Sequence, residues 1–239
     1  MSDQRIRVLL EPGYDYGRFG AWALDLPGCA TWADDREAAL ASVPAAVASF
    51  GAWLVRHGER EPAPMGPELE IVEEIPTRWV GEVAINPLYG PDRDALTADG
   101  LALGVRRLDA ARVDLLELLD RLAVPSTGDP GISRRQRDRS AERPALAVAR
   151  HVGSAEVWLS GRLDRAARYD GPGPDDDLRA YLSATHAWAI ELLRSVGEAE
   201  PARLVTDSRG EEWTPTKSTR RLVFHALDHL AELARGDSA

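Results

Sequence analysis

Two histidines four residues apart, His225 and His229, lie in the stretch from Trp213 to Leu233, WTPTKSTRRLVFHALDHLAEL. Side chains four apart on a helix leave the same side, about one turn from each other. Two imidazoles so placed can share one divalent metal ion. Ala226 stands where the zinc-protease pattern HExxH has glutamate, so peptide hydrolysis does not follow. An open site needs a third ligand from elsewhere in the chain, and His151 is the candidate. Three neutral imidazoles leave a position for water or a substrate, as in catalytic rather than structural metal sites. A metal held there lowers the pKa of a bound water or thiol and creates a nucleophile near neutral pH.

The elements that must carry these residues are helices. Val223, Leu227, Leu230 and Ala234 recur at three- and four-residue steps, an apolar stripe on one helix face. Thr214 or Thr216 can cap its start, Pro215 suits a first turn, and Gly236 stops it. The helical wheel puts His229 beside the stripe and His225 one step outward, where a cleft-lining ligand belongs. A second stripe, Val148, Val152, Ala155, Leu159 and Leu163, predicts a helix from about residue 143 to 164, with His151 on its border. Two more helices are predicted, at about 95–122 and 176–196; Asp175 to Asp177 cap the latter, and Pro172-Gly173-Pro174 precedes it. Four helices of about twenty residues fit a four-helix bundle, whose metal ligands project inward from facing helices.

The first third of the chain reads differently. Ile6, Val8 and Leu10 alternate with Arg5 and Arg7; Trp22, Leu24 and Leu26 alternate again after Pro12-Gly13; CATWA follows the Pro27-Gly28 turn. Asp34 or Asp35 then caps a helix carrying Leu40, Val43, Val47, Phe50 and Leu54, and ELEIVEEI is a last strand. The fold class is therefore α+β: a small unit of order β-β-β-α-β over residues 1–75, a connector over 76–93 and an all-α part over 94–239. RRQRDR, residues 134–139, reads as a solvated loop.

Composition narrows the function classes. The net charge of −10 argues against general nucleic-acid binding, so no DNA partner is expected. Cys29 is the single cysteine, which rules out an internal disulfide; its residue type and setting fit a small buried hydrophobe. No uninterrupted apolar run approaches the roughly 18 residues of a membrane span, and residues 1–18 show no signal-peptide core, so a cytoplasmic protein is expected.

Two family resemblances add to this reading. The segment GRFGAWALDLPGCATWADDREAALASVPAAVASFGAWLVRHGE resembles the HicB-like antitoxin core, with its DLPGC-type turn, D-x-x-E-A-L helix start and closing H-G-E. That resemblance implies a small α/β domain, and a protein partner as one role for residues 1–75. ALAVARHVGSAEVWLSGRL and EEWTPTKSTRRLVFHALDHLAEL resemble the second and last helices of DinB-like proteins. This second resemblance implies a four-helix bundle, a zinc, nickel or similar ion, and a metal triad falling on His151, His225 and His229. It also implies activity as a thiol-dependent transferase or isomerase using mycothiol or bacillithiol on a small-molecule substrate, and a homodimer from family habit.

The remaining candidates are assigned plainer roles. His186 is expected to face the bundle without ligating, His57 to close its helix, Trp213 to pack, and Lys217, Arg220 and Arg221 to dress the helix surface. A second functional reading makes the protein a binding module, with residues 1–75 recognising a protein or RNA and the helices serving as scaffold. The acidic charge favours a protein.

Overall fold

A computed structural model describes residues 5–60, 66, 68–128 and 143–236. The loop expected at 134–139 lies outside the described residues. Strand β1 (Ile6–Gly13) pairs antiparallel with β2 (Arg18–Ala23) through the single turn of helix α1 (Tyr14–Gly17). β2 pairs antiparallel with β3 (Ala30–Ala33). The chain then forms α2 (Arg36–Arg56) and returns as β4 (Leu69–Glu74), parallel to β1, giving the order β3-β2-β1-β4. Asp35, not Asp34, caps α2, its carboxylate accepting Ala38 N–H at 2.8 Å.

One face of this sheet carries Ile6, Val8, Leu10, Ala21 and Ala23 against Val43, Phe50, Trp53 and Leu54 of α2. The other face is buried too. Leu9 and Trp22 pack on Tyr89 and Phe224 from later in the chain, which is why β1 departs from polar-apolar alternation after Arg7.

By length and mean hydropathy (1.7), α2 is apolar enough to cross a membrane, which a search for unbroken apolar runs misses because Ser42, Pro44 and Ser49 interrupt it. Its Ala39, Val43, Phe50, Trp53 and Leu54 are buried, and the last four of these pack within the sheet's core.

The expected connector is more structured than a linker. It contains the hairpin β5 (Arg78–Val80) and β6 (Val83–Ile85) and a 3-10 turn at Gly90–Arg93, and it buries Ile85, Tyr89 and Asp92.

Four long helices follow: α3 (Ala98–Arg121), α4 (Ala145–Ser160), α5 (Leu178–Ala199) and α6 (Pro215–Gly236). A short hairpin, β7 (Val205–Thr206) and β8 (Glu212–Trp213), separates the last two. Side-chain caps start three of the four helices: Thr97 on α3, Asp177 on α5 and Thr214 on α6, where Lys217 N–H donates to Thr214 Oγ1 at 3.1 Å. α3 packs on α5 and α6, and α4 packs on α5 and α6. Leu101, Val105, Leu108, Leu159, Leu193, Leu222 and Val223 interlock in one core, and Leu115, Leu119, Val148, Val152, Leu182 and Leu233 in another.

The sheet and the helices share side chains. Ala111 of α3 and Ala226 and Leu227 of α6 belong to the core beneath α2. Arg107 of α3 donates to Glu59 through Nε (3.1 Å) and one NH2 (2.9 Å), and to the carbonyl of Pro27 (2.8 Å). His57, at the end of α2, meets Asp114 of α3 at 3.0 Å, and Trp53 Nε1–H donates to the same carboxylate at 2.7 Å. The closing H-G-E of α2 thus serves as a clasp on α3.

Candidate metal centre

The packing of α4 against α6 brings His151 beside the His225–His229 pair. His225 Nε2 lies 3.1 Å from His151 Nε2 and 3.1 Å from His229 Nε2. One nitrogen from each ring falls within 4.8 Å of the other two. His229 is buried, at 8 % exposure, His225 is half-buried, and His151 is exposed. The two α6 histidines therefore sit as the helical wheel placed them, and the cluster opens to solvent on the α4 side.

Protonation makes this geometry informative. His229 presents Nδ1 to Glu232 Oε2 at 2.7 Å. A carboxylate accepts only, so in the bond to Glu232 Nδ1 carries the proton and Nε2 keeps its lone pair toward the other rings; Arg143 NH2, 3.1 Å from the same Nδ1, then donates to Glu232 Oε2. His225 Nε2 then faces two neighbours at the same distance, and one proton there can serve only one of them well. A divalent cation accepts all three lone pairs at once. Around a tetrahedral ion with metal–nitrogen bonds of about 2.0–2.1 Å, ligand nitrogens lie about 3.3–3.4 Å apart, close to the two spacings at His225, with the third pair inside 4.8 Å. The donor set fits such an ion.

Electrostatics keep His225 neutral. Burial, then His229 and His151, then Arg221 and Arg143, hold the His225 pKa well below its ordinary value. Burial would raise the Glu232 carboxyl, but hydrogen bonds from His229 and Arg143, with their charges, push it down to about 2. Arg143 donates to Glu232 through Nε at 2.8 Å and through NH2, so the segment entering α4 is tied to the carboxylate behind His229.

The other residues singled out from sequence fall elsewhere. His186 is not part of the cluster: its Nδ1 lies 3.1 Å from Glu156 and its Nε2 2.9 Å from Asp109. Glu156 also accepts from Arg112 and from Thr185, and although burial would raise it, Arg112 and His186 hold its pKa down. Trp213 is fully buried, as expected. Cys29 is buried, and burial pushes its thiol up to about 12.

The expectation that Lys217, Arg220 and Arg221 dress the surface is wrong. Lys217 is 0 % and Arg220 7 % exposed, because the connector and the sheet cover the start of α6. Lys217 Nζ donates to the carbonyls of Asn86 (2.9 Å) and Glu212 (2.7 Å). Arg220 forms a two-pronged pair with buried Asp92, at 3.0 and 2.6 Å. Arg221 donates to Asn86 and lies 3.5 Å from Glu11. Sequence reasoning also passed over Glu232, although its position three residues after His229 was a usable signal on a helix. Nothing local pointed to Arg143, Trp32 or Glu11.

The fold and site define a class: packed helices presenting an open cluster of three imidazoles beside a small sheet. The family described as the DinB superfamily matches residues 107–233, more than half of the chain, and the chain belongs to it. No curated protein and no solved structure matches the chain.

Proposed function

We propose that the protein binds one divalent ion of the zinc or nickel kind through His151, His225 and His229, in a four-helix bundle made by α3 to α6, and acts as a thiol-dependent transferase or isomerase on small molecules. The convergence of three Nε2 atoms, His225 lying 3.1 Å from each of the other two, is the observation that carries this reading. Membership of the DinB superfamily supports it.

When bound, such an ion lowers the pKa of a coordinated thiol or water and so supplies a nucleophile near neutral pH. The chain's own residues do the rest. Glu232 holds the Nδ1 proton of His229 and aims its Nε2 into the cluster. His225 stays neutral because burial and neighbouring positive charge disfavour its protonation. His151, on the exposed side, leaves room for a thiol of the mycothiol or bacillithiol type and for an electrophile.

For residues 1–75 the proposal is a HicB-like core. The order β1, β2, β3, α2, β4 supports it.

Metal analysis of tag-free protein after reconstitution tests the site. About one equivalent of zinc or nickel is expected in the wild type and less than about a tenth in His225→Ala. A wild type that takes up no transition metal overturns the proposal. For the chemistry, consumption of an electrophile by the loaded protein should depend on added thiol; turnover indifferent to thiol overturns the transferase reading.

A further inference from the structure

We infer that the N-terminal sheet is a positioning element of the histidine cluster, gripping α6 on both sides of His225. The inference rests on the metal reading above and assigns a task to strands that lie outside the family match at 107–233.

α6 supplies two of the three imidazoles, so its register against α4 decides whether three nitrogens converge. Ligand constellations must be held to within about 0.5 Å and 10–20°. A slide of one residue along a helix is about 1.5 Å and a turn of one residue is about 100°, each far outside that tolerance. Apolar burial is non-directional, so directed contacts add to the register that helix packing sets. Beside the Arg143 contacts at His229 and Glu232, the sheet supplies directed contacts on both sides of His225.

One turn before His225, Arg221 donates to Asn86 Oδ1, and its NH1 lies 3.5 Å from Glu11 Oε2 of β1. Glu11 is itself fixed: it is 1 % exposed and accepts from Trp22 Nε1–H at 3.2 Å and Thr77 Oγ1–H at 2.7 Å. Three residues after His225, Asp228 Oδ1 accepts from Trp32 Nε1–H of β3 at 3.2 Å. Between these two bonds, Phe224 meets Trp22 edge to face, with ring centroids 4.5 Å apart. The Gly28 backbone approaches Val223 so closely that a Cβ would overlap it. Residues 221, 223, 224 and 228 thus hold α6 by two polar contacts, an aromatic contact and a close backbone approach, bracketing His225 along the helix. Arg221 and Asp228 act through helix position; neither is one of the proposed ligands.

Trp32→Phe keeps the ring and deletes the N–H donor to Asp228. The full-length protein is compared first without metal, by long-range imidazole nitrogen–proton spectra, and then by titration with nickel(II). The expected result is a shift of the His225 and His229 ring signals, a nickel affinity about tenfold weaker and a thermal midpoint that holds. Asp228→Asn, which still accepts from Trp32, is expected to retain wild-type spectra and affinity. Wild-type ring signals and nickel affinity in Trp32→Phe overturn the inference. If Trp32→Phe does not fold, Asp228→Ala deletes the same bond from the helix side and is read in the same way. If the wild type itself takes up no nickel, the metal reading fails, and the metal-free spectra alone decide whether the sheet positions the rings.

Discussion

His229 donates its Nδ1–H to Glu232 Oε2 at 2.7 Å, one turn further along α6, and this bond sets which ring nitrogen faces His225. A carboxylate behind a ligating histidine fixes its tautomer and raises its basicity, and losing it costs about 10–100-fold in metal affinity. Glu232→Gln is expected to weaken zinc or nickel by that factor with the helical content unchanged, as read by competition with a coloured chelator. Glu232→Asp, with its shorter reach, should fall between the two. Wild-type affinity in Glu232→Gln would remove the carboxylate from the site's support.

Asp92 and Arg220 form a buried pair, at 2 % and 7 % exposure, that joins the connector to α6. Removing one partner leaves the other charge uncompensated away from water, at a cost of about 3–5 kcal/mol. Asp92→Asn should lose about that much in urea denaturation. Replacing both residues by apolar ones of similar volume should recover most of it, and a loss under about 1 kcal/mol in Asp92→Asn contradicts the reading.

Burial pushes Lys217 down to about 7 from its ordinary 10.5, against the attraction of Glu211, 3.9 Å away. Between those two values the unfolded chain binds more protons at this position than the native protein, so the lysine makes stability rise with pH across that window. Lys217→Met should lack this rise. Denaturation midpoints of both proteins from about pH 7 to 10 would show their difference growing with pH, and a flat difference contradicts the assignment.

Gly28 has φ +97°, and a methyl at its Cβ position would overlap Val223 of α6. Gly28→Ala is therefore strained twice over, by its backbone and by the helix it meets, and is expected to cost about 1–3 kcal/mol or more. Val223→Ala in the same background should return part of that loss if the overlap is real. A double variant no more stable than Gly28→Ala alone would assign the cost to the backbone.

The sequence by itself determined what lies within reach of a helix turn or a strand's alternation. The stripes on α4 and α6 and the same-side placement of His225 and His229 follow from steric rules spanning three or four residues, as do the caps to within a residue or two; the structure chose Asp35 over Asp34, Asp177 within Asp175 to Asp177, and Thr214 over Thr216. His151 stood as a candidate because it borders a stripe, but its arrival 3.1 Å from His225, across 74 positions, depends on how α4 packs on α6.

Only the tertiary structure decided that Lys217 and Arg220 are interior residues and Arg221 a half-buried one. Their partners Asn86, Asp92 and Glu11 lie more than a hundred positions away, so no local pattern distinguishes them from the cations of a solvated helix face. Trp32 and Asp228, 196 positions apart, and Arg143 and Glu232, 89 apart, are equally beyond any local pattern. Apolar burial chooses which surfaces meet and carries no direction of its own; the charged groups caught where they meet must then find partners or be excluded.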